Sequence, residues 1–218
     1  MLRKSTVKWP SRDDICASMP SSFRELYPNI RAICDITEIP CEALRVQGHF
    51  RFHKALNSIK ILTAFAPNGE VTFISEAFSD EESDLEIVSR SGILDLIEPD
   101  DLILAEKGFP NIAQDLNYRR AHLALPPFKT KRKEEDESAS VRGHVDRCVA
   151  RLKFFDILHF FPHNLVDHID QIMHIIAFLA KMYSDLTKEV RQKRKNDDQQ
   201  QESLDKRVKI ETTEEWNL

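Results

Sequence analysis

The chain lacks the features that mark a secreted, membrane-spanning or disulfide-built protein. Its four cysteines, Cys16, Cys34, Cys41 and Cys148, include no Cys-x-x-Cys pair. That speaks against a disulfide scaffold or a zinc knuckle and fits a reducing compartment. The N-terminal Met-Leu-Arg-Lys-Ser-Thr-Val-Lys has no apolar core for a signal peptide. The longest apolar stretch, Ile172 to Tyr183, is broken by His174 and Lys181 and is too short to span a bilayer. No internal repeat is visible. What is present is one ordinary soluble domain with appendages: 218 residues, 41% apolar, formal net charge -5.

One segment organises the rest. Asn29 to Ile39, set between Pro28 and Pro40, carries Ile30, Ala32, Ile33, Cys34, Ile36 and Ile39. This is an apolar, β-prone run of strand length. The prolines remove backbone donors and punctuate its ends. Asp35 sits inside it, and an ionised group there costs free energy unless something positive faces it. It is either a turn-capping or Arg-paired Asp, or a metal ligand on the central strand of a sheet.

Residues 1–28 read as an extended lead-in with one short helix near Ser11 to Ala17. Beyond the Asp35 strand, Arg45 to Lys60 is polar, with His49, Arg51, His53, Lys54 and Lys60 around Phe50 and Phe52. Asn57 to Ala66 alternates into a second strand, Pro67-Asn68-Gly69-Glu70 is a turn signal, and Val71 to Phe78 makes a third strand. An antiparallel meander follows. Ser83 with Glu86 is a capping-box pattern, opening a helix whose apolar positions carry it to Glu98-Pro99. Leu102 to Ala105 is a short buried strand ending at Glu106, Asn111 to Arg119 a helix, Ala121 to Leu125 another strand. The run Lys129 to Glu137 reads as a solvated loop. Helical spacing marks Ser140 to Phe155, and a longer helix runs from about Leu165 toward Val190. Lys188 to Leu218, with eight Lys/Arg, eight Asp/Glu and a Gln triplet, reads as a frayed helix end and a charged disordered tail. The core domain thus covers 29–187. Its order is that of an α/β domain with a mixed sheet, compatible with the ribonuclease-H-like architecture.

In such an arrangement the first and fourth strands are neighbours and a late helix packs over them. Asp35, Glu106 and Asp146 would then converge at one end of the sheet. Hard cations such as Mg²⁺ want oxygen ligands, few in number, with positions left for phosphate and water. Two such ions can activate the attacking oxygen and stabilise the leaving one. Arg142, Asp146 and Lys153, at steps of four and seven, line one helix face. They form either a salt-bridge stripe or a metal ligand flanked by phosphate-binding side chains.

These stretches resemble the DDE superfamily endonuclease domain of eukaryotic transposases, in the Harbinger-like group often found with THAP zinc fingers. The resemblance runs from about Trp9 to Leu186. It is carried by Cys-Asp-Ile-Thr-Glu-Ile (34–39), His-Lys-Ala-Leu-Asn-Ser-Ile-Lys (53–60), Pro-Asn-Gly-Glu-Val-Thr-Phe-Ile-Ser-Glu (67–76), Ser-Asp (83–84), Ser-Gly-Ile-Leu (91–94), Asp-Leu-Ile-Leu-Ala-Glu-Lys-Gly-Phe (101–109), Pro-Pro-Phe (126–128) and the segment 142–158. It implies a metal-dependent DNA phosphodiesterase using Mg²⁺ or Mn²⁺, with Asp35 matching the first catalytic Asp. The second Asp of the family falls on Glu106, and the third residue, a Glu, falls on Asp146. Arg142, Lys153, Lys54 and Lys60 become candidate phosphate contacts.

The same comparison implies impaired chemistry. Glu106 and Asp146 each exchange one carboxylate for the other, moving ligand oxygens by about 1.5 Å, one C–C bond. A misplacement of about 1 Å can cost on the order of a hundredfold in rate. The Gly-rich stretch usual before Ser83-Asp84 is here Ser79-Asp80-Glu81-Glu82. The segment between Pro-Pro-Phe and the third carboxylate is short, and no zinc finger or helix-turn-helix precedes the catalytic region. The tail is charge-balanced, so the body keeps the whole net charge of -5. That suits non-specific DNA binding poorly. The alternative is a non-catalytic domesticated transposase acting as a nuclear protein-interaction or chromatin scaffold.

His159, His163, His168 and His174 match no common zinc spacing and read as surface or packing histidines. Arg191-Gln192-Lys193-Arg194-Lys195 is a candidate nuclear import signal or a solvated helix end. Val208-Lys209-Ile210-Glu211 resembles the acceptor pattern of a SUMO-type modifier.

Overall fold

The computed structural model describes residues 7–42, 57–105, 112–125 and 135–182, the side chains of 135–142 and 145 excepted. The chain divides into two units, Met1–Phe178 and Leu179–Leu218. The sheet and its helices belong to the first. Of the second, residues 179–182 are described, and they are helical. Lys54, Glu106, Pro126 to Phe128, most of the 129–137 charge run, the two tail motifs and the tail itself lie outside the described residues.

The lead-in folds into two short helices rather than one. Ser11 caps α1 (Arg12–Ser18), and with Asp14 it forms a capping box. After Pro20 comes α2 (Ser21–Leu26), whose Phe23 is fully buried. Pro20 and Pro28 make that stretch look like turns in sequence. Pro20, however, lies where a helix needs no N–H from it, and burial of Phe23 supplies the stabilisation that propensity lacks.

β1 (Ile30–Pro40) is the central strand. It pairs antiparallel with β2 (Ser58–Phe65), with Asp35 opposite Thr63 and Pro40 opposite Ser58. β2 in turn pairs with β3 (Val71–Ile74), completing the antiparallel meander. The third strand does not run through to Phe78 unbroken. At Ser75 the side-chain hydroxyl takes the Leu62 N–H at 2.9 Å, and Ala77 N–H is taken by buried Asp170 at 3.1 Å. Pairing with β2 resumes only at β4 (Phe78–Ser79). A ladder whose donors are captured by side chains cannot continue.

Ser83 caps α3 (Asp84–Ser91) with Glu86 completing the capping box. The helix stops earlier than its apolar spacing predicts. Gly92, at φ 83°, forms a left-handed cap, and Ile93–Leu96 continue as a 3-10 turn. β5 (Leu102–Ala105) lies parallel to β1 on the side away from β2, with Cys34 opposite Ala105. α4 (Ala113–Tyr118) leads to β6 (His122–Ala124), parallel to β5. The result is a mixed sheet of order β3-β2-β1-β5-β6, with β4 also on β2. α5 (Glu135–Lys153) begins inside the acidic half of the run expected to be loop. Past it, His163–His168 form a 3-10 turn, and residues 169–182 are α-helical.

Alternation along β1 divides its side chains between the two faces. Ala32, Cys34 and Ile36 pack with Leu62, Ile87, Val88, Ile93, Leu94, Ile103 and Leu116 in the core under α3 and α4. Ile33, Asp35, Thr37 and Ile39 share the opposite face, on the side where α5 packs against β1. Asp35 is thus committed to a helix-covered face by register alone.

Candidate active site on the central strand

The foot of the sheet, where β1 and β5 begin, is built from charge. Asp101, only 2% exposed, accepts the Glu98 N–H at 2.9 Å and Arg12 Nε at 3.1 Å. Arg31, 5% exposed, brings its Nε to 3.4 Å from the other carboxylate oxygen, Oδ2, and its guanidinium lies over the Trp9 ring at 5.3 Å. Two arginines and a backbone amide converge on this one carboxylate. A buried charge is tolerated on those terms.

Asp35, five residues along β1 from Ile30, has far less. Its Oδ2 accepts the Thr37 hydroxyl at 2.9 Å, and its backbone carbonyl accepts the Thr63 hydroxyl at 3.3 Å. Burial pushes the Asp35 carboxyl above the usual carboxylate range. The Thr37 hydrogen bond, then the charge of Lys153, oppose that shift without cancelling it. The neighbouring Cys34 thiol is pushed up to about 12, mainly by burial and then by the Asp35 charge. Such a thiol stays protonated and unreactive. An under-compensated carboxylate is a standing invitation to a cation, and Asp35 has the donor chemistry for a hard divalent ion.

The other sequence-derived positions fall as follows. Glu106 follows Ala105 directly, beyond the described residues. Asp146 is exposed on α5, and Lys153, the last residue of α5, is also exposed. Arg142 lies in α5, and its side chain is among those not described. Lys60 donates to the Glu82 carbonyl at 2.9 Å. Asp35 and Lys153 are therefore brought within electrostatic reach of each other. Thr37 and Thr63 were missed by the sequence reading. The signal for Thr37 was present, because residues i and i+2 of a strand share a face; Thr63 depended on the register of β2.

The acidic stretch Ser79-Asp80-Glu81-Glu82 is put to structural use. Ser79 N–H binds Glu82 at 2.7 Å, Glu82 pairs with Arg90, and the Asn57 N–H binds Asp80 at 3.2 Å. Of the histidines, His163 meets Glu42 at 2.6 Å and His159 lies 3.7 Å from Asp156. Among the described residues, no group of three or more His, Cys, Asp or Glu could hold a metal ion. Nor is any helix there long and apolar enough to cross a membrane.

A mixed sheet covered by helices, with a half-buried carboxylate on its central strand, defines an α/β domain compatible with the ribonuclease-H-like nuclease class. The DDE superfamily endonuclease family matches this chain over residues 34–181, from the residue before Asp35 to beyond α5, and the chain belongs to that family. Members of the family generally use divalent metal ions, and DNA is the substrate such a domain implies. Neither the curated proteins nor the solved structures contain a match.

Proposed function

We propose that the chain is a transposase-derived DDE endonuclease domain, Harbinger-like in descent, that keeps the fold and a weakened divalent-metal site but has lost efficient strand cutting. The observation behind this reading is the β1–β5 register. Cys34 lies opposite Ala105, and the residues that follow them in the sequence are Asp35 and Glu106, the positions that the resemblance assigns to the first two catalytic carboxylates. A divalent ion bound there would activate the attacking oxygen and neutralise the leaving one in phosphodiester cleavage. The chain's own contributions are a carboxylate at Asp35, oriented by the Thr37 hydroxyl, and cationic side chains on α5 for the DNA phosphates. The acidic body and the exchanged carboxylates at Glu106 and Asp146 support weak DNA binding and slow chemistry. A nuclear location follows from the DNA substrate and the basic run at 191–195.

The deciding experiment compares Mn²⁺-dependent nicking of supercoiled DNA by this chain and by the Glu106→Asp, Asp146→Glu double variant. No efficient cutting by the parent is the expected result; cutting gained by the double variant would mark the exchanges as the cause of the loss. Robust cutting by both would overturn the claim of lost catalysis. A melting temperature unmoved by millimolar Mn²⁺ would remove the metal site, because a ligand that binds only the native state must stabilise it. In that event the chain is a nuclear interaction scaffold.

A further inference from the structure

α5 carries the third family position, and its path along β1 can be read from its contacts. Near the foot of the sheet, His144 meets the Phe23 ring of α2 edge-on at 5.3 Å. Cys148 and Arg151 crowd Gly69, where an added Cβ would lie 3.2 Å from each. Gly69 belongs to the turn just beyond Phe65, whose partner on β1 is Ile33. After the helix, the Phe161 N–H bonds the Pro40 carbonyl at 2.7 Å, at the far end of the strand. α5 therefore climbs in the same direction as β1. Its last residue, Lys153, comes level with the Asp35–Thr37 stretch, while Asp146 lies below Cys148, toward the foot, and is exposed. Seven residues separate the two, roughly 10 Å of helix. Among the described side chains of α5, Lys153 is the one whose charge acts on Asp35.

We infer that Lys153, and not Asp146, is the α5 residue that faces Asp35, so that a resident ammonium stands where a third metal-ligating carboxylate would be required. The inference rests on the metal-site reading above and deepens it. An ammonium and a divalent cation both answer the unmet charge of Asp35, and each excludes part of the other's benefit. The lysine therefore weakens metal binding while offering a cation to a DNA phosphate.

The test is Mn²⁺ titration by calorimetry on the full chain. Lys153→Gln should tighten binding by about tenfold, the lower end of the effects seen when groups around a metal site are changed. Lys153→Glu should tighten it further, and adding Asp35→Ala should cancel both gains. Asp146→Ala should bind Mn²⁺ as the parent does. Melting curves without metal check that the exposed substitutions leave the fold intact. Lys153 variants that bind no better than the parent, or a tenfold loss in Asp146→Ala, would overturn the inference. The two proposals fail separately. Asp35-dependent binding gained only by Lys153→Glu would sink metal binding by the natural chain and sustain this inference. Asp35-dependent binding in the parent that requires Asp146 would do the reverse.

Discussion

Two carboxylates, one buried just ahead of β5 and one half-buried on β1, meet opposite fates. Asp101, at the foot, has two guanidinium groups, shared with Glu98, and a backbone amide. Asp35, midway along β1, has one hydroxyl at 2.9 Å and the field of a lysine at the end of a helix. The first is satisfied and serves to join the lead-in, β1 and β5. The second is held at a cost to the fold, and uncompensated charge of this kind collects where a protein binds something. The contrast separates a structural charge from a candidate functional one without reference to descent.

The strongest challenge to the comparison is to neutralise each carboxylate in turn. Asp101→Asn removes the buried carboxylate from two arginines, one of them buried, leaving them only Glu98 at the surface, and should cost about 3 kcal/mol, as broken buried pairs do; urea denaturation measures it. Gly69→Ala attacks the seat of α5. The position has φ 86°, and a Cβ would press on Cys148 and Arg151. A loss of about 1–2 kcal/mol is expected, and Mn²⁺ affinity should shift with it if the seat of α5 sets the Asp35–Lys153 spacing.

Asp35→Asn should have the opposite sign from Asp101→Asn, stabilising the metal-free protein at pH 7 by on the order of 1 kcal/mol. The pH dependence follows from the raised pKa. The protonated form is favoured in the folded state, so its stabilising contribution is complete below the unfolded value and is lost as pH rises through the folded one. The advantage of Asp35→Asn should therefore vanish toward about pH 4 and be full at neutral pH. Destabilisation at pH 7 would place Asp35 in the same class as Asp101.

The smallest effect concerns acid. His144 is held below the usual imidazole value by burial, then by Arg147 and Arg151, against the hydrogen bond to the Pro67 carbonyl. Its Nε2 is buried without a hydrogen-bond partner. Because the folded state resists the proton, stability falls as pH drops below about 6.5, the unfolded value. His144→Phe should flatten that fall by several tenths of a kcal/mol in thermal melts between pH 7 and 5. An unchanged slope would show that the docking of α5 does not depend on a neutral imidazole.

Much of this was legible beforehand. Strand β1, the Pro67–Glu70 turn, the Ser83 cap and β5 all follow from short-range chemistry: apolar runs, turn residues and side chains that satisfy nearby amides. The misses have a common cause. α2 forms because Phe23 finds a core, the third strand breaks because Asp170 takes the Ala77 N–H and the Ser75 hydroxyl takes the Leu62 N–H, and α3 ends where Gly92 turns left-handed. In the first two, a long-range contact overrode the local preference. Gly92 is different, since the stop signal was in the sequence and the apolar spacing masked it.

The site divides in the same way. The sequence alone determined that Asp35 is a carboxylate within an apolar strand, that Thr37 shares its face and that Ala105 leads into Glu106, because strand alternation and chain order are local properties. The orientation of α5 was a tertiary decision. Helical spacing puts Arg142, Asp146 and Lys153 on one stripe whichever way the helix runs. Only its packing on Phe23, Gly69 and the far end of β1 chooses which of those charges comes level with Asp35.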